Sequence, residues 1–162
     1  METVTKQTNV VITPEELLKH WQGHRGLTRR VIEAFPEQEF FNFSIGGMRP
    51  FAGMVMELLG IAAPGLKQFV TGEIPPLSEQ FEHDNKKENI LKLWDEATEE
   101  INHWFSQIPA ERFHEKVMSF GQYEGTICSS VFYFIDNEIH HRAQGYVFLR
   151  ALNIEPPYFW DR

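Results

Sequence analysis

The chain has one cysteine, no long apolar run and no cluster of basic residues. A single thiol, Cys128, cannot form an intrachain disulfide, which fits a reducing compartment. No segment approaches the roughly 20 apolar residues that a membrane-spanning helix needs. Residues 1–10 are too polar for the apolar core of a signal peptide. We therefore expect a cytoplasmic protein with no membrane partner.

Positive charge is scarce relative to negative charge. Fifteen Lys and Arg residues stand against 23 Asp and Glu residues, which gives a formal net charge of −8. A surface that binds nucleic acid needs a basic patch to neutralise phosphates, and the sequence shows none. It also shows no Ser-His-Asp catalytic-triad pattern, no P-loop and no dinucleotide-binding glycine pattern. We expect no nucleic-acid partner.

What the chain does contain is apolar and helical. Hydrophobic residues make up 42% and aromatic residues 14% of 162 residues, enough for the core of one domain, 1–162, with 1–11 as a loose arm. Thr13 to Glu16 form a capping box with proline at the first helical position, and Pro36 ends that helix. Almost no alternating strand pattern occurs, apart from a short strand or turn expected at 116–120. The predicted helices cover 14–35, 49–70, 86–107 and 126–152.

These four helices predict an all-α four-helix bundle. The connections between helices two and three and between helices three and four are the longer ones. They allow crossovers rather than a simple up-and-down topology.

The fourth predicted helix carries a polar cluster, residues 136–144, between two uncharged apolar stretches. Ionisable groups in such a position are costly to bury unless they are paired or coordinated. On a helix, Asn137 and His141 share a face, and Glu138 is a neighbour of His141. We expect these three side chains to form one buried polar centre.

Glu57 is a second isolated carboxylate, in the middle of the second predicted helix. Gly53 and Gly60 lie one turn either side of it and leave room for close helix contact or a small cavity. Bundle cores commonly hold metal sites built from facing helices, and a carboxylate with an imidazole suits Zn, Ni, Fe or Mn. Alternatively, Glu57 pairs with His141 across the bundle as a structural contact without a metal.

Other histidines and polar residues could extend such a site. His24 lies on the apolar stripe of the first helix, four residues after His20, and we predict that it is buried with its hydrogen bonds satisfied. If it reaches the Glu57 cavity, it could be an extra ligand or a proton carrier. Arg142 and Gln144 could line the site, although an exposed or interface position for Arg142 is an equal alternative.

At residues 137–150 the sequence NEIHHRAQGYVFLR resembles the fourth helix of the DinB/YfiT-like family, with its H-x-x-H-H-R-G-Q motif followed by an aliphatic run and LR. Met48 to Phe51, together with Glu57, resembles the start of that family's second helix. The resemblance covers nearly the whole chain. It implies a homodimeric four-helix bundle whose divalent metal is held by three histidines, one on the second helix and two on the fourth.

The sequence departs from that motif at the expected ligands. Glu57 replaces the histidine of the family's second helix, and Asn137 replaces the first of the two ligand histidines on its fourth helix. Ala143 replaces the usual glycine, and His141 is the one expected ligand that matches. The resemblance therefore implies Glu57, Asn137 and His141 as metal ligands. Such a set binds more weakly than three imidazoles and favours harder metals. The alternative is that this branch has lost its metal.

Two functions follow from the resemblance. The first is a metal-dependent enzyme, a hydrolase or thiol S-transferase, in which the metal activates water or a low-molecular-weight thiol against a small-molecule substrate. Glu57 and His141 would be catalytic, with His24 or His140 carrying a proton. The second is a non-catalytic dimeric bundle, stress-related or ligand-binding, whose Glu57/His141 pocket is structural and free of metal.

Overall fold

A computed structural model describes residues 10–162, so nearly all of the predicted arm 1–11 lies outside the described part. Four long helices confirm the predicted all-α bundle, and none of the described helices is both long and apolar enough to cross a membrane. The elements are α1 (Pro14–Ala34), α2 (Glu37–Asn42), α3 (Phe51–Thr71), α4 (Lys87–Phe105), a 3-10 helix (Ala110–His114), β1 (Lys116–Ser119), β2 (Tyr123–Thr126) and α5 (Ile127–Ala151).

Side-chain caps fix where α1 and α5 begin. The Thr13 hydroxyl accepts a hydrogen bond from the Glu16 backbone N–H at 3.1 Å, and the Glu16 carboxylate accepts one from the Thr13 N–H at 2.8 Å. Thr126 and Ser129 make the equivalent reciprocal pair at the start of α5. Both boxes satisfy backbone donors that the first helical turn leaves without partners.

Two predicted connections contain regular structure. The segment after Pro36 forms the short helix α2, whose Phe40 is fully buried. The connection after α4 forms the 3-10 helix and an antiparallel hairpin, in which Val117 pairs with Gly125. The prediction for residues 116–120 found only the first strand. The sequence left most of these short elements as loop, because α2 is shorter than two helical turns and β2 shows no apolar/polar alternation.

The core consists of two apolar clusters separated by a polar layer. One cluster, around Trp21 and Phe134, lies towards the hairpin end of the bundle; the other, around Phe51 and Phe148, lies towards the α2 end. The polar residues of α5 lie between Ile135 of the first cluster and Phe148 of the second. This layer at mid-height holds both groups of polar side chains described below.

Polar contacts hold the end of the C-terminal tail against α1. Arg30 of α1 pairs with Asp161 at 3.0 Å. The rings of Tyr158, Phe159 and Trp160 remain more than half exposed.

Candidate functional site

The polar layer has two sides, because successive residues of α5 point about 100° apart. Asn137 and His141 face α3, whereas Glu138 and Arg142 face α1. The expectation that Glu138 joins Asn137 and His141 in one centre is therefore wrong. Glu138 follows Asn137 directly on α5, so its side chain points towards α1 and not towards α3.

On the α3 side, the structure brings together the three residues expected as metal ligands. Glu57 Oε1 accepts a hydrogen bond from Asn137 Nδ2 at 3.0 Å and lies 3.2 Å from His141 Nε2. Glu57 Oε2 accepts one from the Arg49 guanidinium, which also donates to Glu79 at 2.7 Å. Arg49 is the member of this site that sequence reasoning did not assign a role.

The Glu57 carboxyl is held in its ionised form. Burial by itself would raise the pKa of Glu57, but the hydrogen bonds from Asn137, His141 and Arg49 outweigh it and lower the pKa from 4.5. The side chain is 23% exposed, so it remains in contact with solvent. At neutral pH the site therefore presents a negatively charged oxygen.

Gln144 fixes the orientation of the His141 ring. Its Oε1 lies 2.8 Å from His141 Nδ1, and its Nε2 donates to Met48 Sδ at 3.4 Å. With an amide oxygen as its partner, Nδ1 carries the hydrogen, and Nε2 faces the Glu57 carboxylate. The distance from His141 Nε2 to Glu57 Oε1 is 3.2 Å. Metal-ligating histidines are commonly oriented in this way by a second hydrogen bond.

This donor set fits a divalent cation with two strong ligands. A carboxylate oxygen and an imidazole nitrogen 3.2 Å apart can bind the same ion, since each metal–ligand bond is about 2.0–2.2 Å. Asn137 turns its Nδ2 to Glu57 and so supports the carboxylate more directly than it offers an oxygen ligand. Within residues 10–162, no group of three or more His, Cys, Asp and Glu side chains is placed to hold a metal. We therefore expect weak binding.

A cavity of about 670 Å³ opens beside Glu57. It lies between α3, residues 72–86, the hairpin and the first half of α5. The sequence did not indicate most of its lining, because the residues come from three separate stretches of the chain. They are Glu57, Ile61, Leu77, Ser78, Glu79, Ser119, Phe120, Tyr123, Glu124, Gly125, Ser129, Ser130, Tyr133 and Phe134.

The α1 side of the polar layer is a buried ion-pair network around Glu138. This carboxylate is 1% exposed and accepts a hydrogen bond from Thr28 Oγ1 at 2.6 Å. Arg25 and Arg142 lie 3.7 and 4.0 Å from it, and the Trp21 indole donates to it at 3.4 Å. The two guanidiniums share this one carboxylate, and Arg25 also donates to Thr98 and to the Trp94 carbonyl of α4. Because the charged groups are buried and hydrogen-bonded, the network is a structural contact among α1, α4 and α5.

His24 belongs to this network and not to the Glu57 cavity. It is 2% exposed, and its Nδ1 accepts a hydrogen bond from Arg142 at 2.9 Å. Burial, and then the nearby Arg142, lower the pKa of His24 to about 3, so the ring is neutral. The prediction of a buried, satisfied histidine is confirmed, and a role for His24 at the Glu57 site is not. Arg142 is itself buried, against the expectation of an exposed or cavity-lining position.

The remaining candidate, His140, is exposed. Its ring centroid lies 5.1 Å from that of His141, and it makes no hydrogen bond to another described residue. It is next to the site without being one of the side chains that bond to Glu57.

The fold and the polar layer define an all-α bundle with a candidate site between its second and fourth long helices. Two solved structures share this fold. One is a DinB-like protein from Bacillus cereus, which is 13% identical with a TM-score of 0.71; the match covers 89% of this chain and 95% of that one. The other is a DinB-like protein from Bacillus subtilis, which is 16% identical with a TM-score of 0.70; the match covers 90% of this chain and 99% of that one. The DinB family model matches residues 1–160, so the chain belongs to the DinB family. No protein of curated function matches its sequence.

Proposed function

We propose that this DinB family member binds a small organic molecule in the cavity beside Glu57 and acts on it as a metal-dependent hydrolase or thiol transferase. The observation that supports this proposal most is that Glu57 belongs both to the cavity and to the polar site. Its carboxylate lines the cavity and also bonds to Asn137 and lies against His141. A molecule in the cavity therefore lies next to the candidate reactive groups.

In this proposal Glu57 and His141 hold a divalent cation, Ni, Zn, Fe or Mn, supported by Asn137. When bound, the cation would lower the pKa of a water molecule or thiol and so supply a nucleophile at neutral pH. Arg49 and Asn137 orient the carboxylate through hydrogen bonds, and Gln144 orients the imidazole. The apolar walls of the cavity hold the substrate body and exclude water.

A second function is favoured by the contacts of Arg49. Its guanidinium already supplies a positive partner for Glu57, and a protonated His141 would satisfy the other carboxylate oxygen without a metal. In this case the Glu57/His141 contact is structural. The chain would then be a non-catalytic bundle that binds a small ligand in the same cavity.

Metal content distinguishes the two functions. We would measure it by inductively coupled plasma mass spectrometry on wild type, Glu57→Ala, His141→Ala and His140→Ala, all purified without a metal-binding tag and supplied with divalent ions. We expect metal in wild type and in His140→Ala, which changes an exposed histidine, and its loss from the other two variants. Circular dichroism would verify that each variant is folded.

The result decides what is tested next. If wild type contains metal and both Glu57→Ala and His141→Ala lack it, the next step is to assay hydrolysis and thiol transfer. In those assays His141→Ala should be inactive. A wild type that takes up no metal, or a folded His141→Ala that retains it, would rule out the metalloenzyme and leave the ligand-binding bundle.

A further inference from the structure

The charged side chains that line the cavity are all acidic. They are Glu57 on α3, Glu79 on the segment 72–86 and Glu124 on β2. No Lys, Arg or His of the described residues is among the lining side chains. An anionic ligand would thus meet three carboxylates and no basic group within the cavity walls.

Positively charged groups outside the cavity lining neutralise these carboxylates only in part. Glu57 and Glu79 share a single guanidinium, that of Arg49, which itself lies outside the lining. Glu124 is exposed and forms no ion pair with another described residue. The cavity therefore keeps an excess of negative charge, in a chain whose formal net charge is −8.

Aromatic rings form the other conspicuous part of the lining. Phe120, Tyr123, Tyr133 and Phe134 all contribute. Tyr123 and Tyr133 are 59% and 58% exposed, so the protein leaves much of each side chain uncovered. The face of an aromatic ring attracts cations, and a carboxylate nearby adds to that attraction.

We propose that the cavity accepts an organic cation: a molecule with an ammonium or amidinium group attached to an aromatic or aliphatic body. The cationic group lies against Glu124 and Glu79 and the open tyrosine rings, and the body fills the apolar part towards Ile61 and Phe134. The inference rests on the proposed function in using the same cavity, and it adds the charge of the ligand. It requires no metal.

Three probes that differ only in charge test this inference. Each has a naphthalene ring, which carries a methylammonium, a hydroxymethyl or a carboxylate group. Affinity would be measured by calorimetry, and the binding position by NMR shifts of the lining residues. We expect the ammonium probe to bind about tenfold more tightly than the neutral one, and the carboxylate probe most weakly.

Two variants locate the charge effect. Glu124→Gln should weaken the ammonium probe about three- to tenfold and leave the neutral probe unchanged. Glu155→Gln is the matched control, because it removes the same charge from an exposed position outside the cavity and should change neither affinity.

The possible failures are distinct. If all three probes shift the lining residues with equal affinity, or if the carboxylate binds best, the cavity is a ligand site and the inference of a cation is overturned. If Glu155→Gln acts like Glu124→Gln, the effect comes from overall charge and the inference is again overturned. If no probe shifts the lining residues, the inference of a cation is overturned, whereas the proposed function is decided separately by the metal content of wild type and His141→Ala.

Discussion

Glu57 and Glu138 are two mid-helix glutamates with opposite surroundings. Glu57 is 23% exposed at the edge of a cavity, whereas Glu138 is 1% exposed between two buried arginines. Losing the second carboxylate would leave Arg25 and Arg142 buried without their counter-charge. Losing the first would leave Arg49 free to pair with Glu79 at the surface.

This difference gives a prediction about stability. Glu138→Ala should lower the free energy of unfolding by about 3–5 kcal/mol, the usual cost of breaking a buried ion pair. Glu57→Ala should lower it by roughly 1 kcal/mol, since its contacts reach solvent. Urea unfolding of both variants beside wild type would measure this. A loss of about 1 kcal/mol or less for Glu138→Ala would contradict its structural role.

At the scale of elements, the segment 72–86 is held against α3 by close contact at Gly60. A Cβ atom built on Gly60 would lie 2.2 Å from the Ser78 carbonyl oxygen, closer than any real contact allows. The Arg49–Glu79 ion pair holds the same segment at 2.7 Å. This packing forms one wall of the cavity, because Leu77, Ser78 and Glu79 all line it.

Two glycine-to-alanine substitutions test this contact. Gly26 lies in α1 with nothing within 4 Å of its Cβ position, so Gly26→Ala should raise stability by up to about 1 kcal/mol through helix propensity. Gly60→Ala should instead lower the melting temperature and loosen the segment, because the backbone of Ser78 must move. Thermal unfolding and hydrogen exchange of residues 72–86 would show both effects. A stabilised Gly60→Ala would show that the segment is not packed as described.

At the scale of the whole molecule, burial of a neutral histidine makes stability depend on pH. The pKa of His24 is about 3 in the folded chain against 6.5 ordinarily. Between these values the unfolded chain binds a proton that the folded chain does not. The free energy of unfolding should therefore fall as pH is lowered through this window, by up to about 1.4 kcal/mol per pH unit.

The measurement is denaturant unfolding from about pH 7 to about pH 5. Glu57 stays ionised across this pH range, because its pKa is lowered from 4.5, so it contributes little to the slope. His24→Gln should flatten the pH dependence. His140→Gln, which changes an exposed histidine, should leave it unchanged. The same slope in both variants would refute the assignment to His24.

Assembly is the other whole-molecule property, and the homodimer implied by the family resemblance stays a prediction. Light scattering during size-exclusion chromatography would measure the mass in solution directly. A mass near 19.0 kDa, that of one chain, would contradict it.

The sequence by itself determined the four long helices, and their ends to within about two residues, because helix caps, proline positions and a helical hydrophobic period are local features. The i, i+4 spacing put Asn137 and His141 on one face, and the family motif added Glu57; the three side chains are neighbours in the structure, and their role as metal ligands stays a prediction. The sequence did not predict the short helix α2 or the strand β2, because α2 is shorter than two helical turns and β2 shows no apolar/polar alternation.

Only the tertiary structure decided what each polar side chain faces. Glu138 turns to α1 because one residue along a helix is about 100° of rotation, and the sequence does not say which helix lies in that direction. The same packing removed His24 and Arg142 from the Glu57 site and brought Arg49 into it. The acidic, aromatic cavity exists only after three separate stretches of the chain, 57–61, 77–79 and 119–134, have come together.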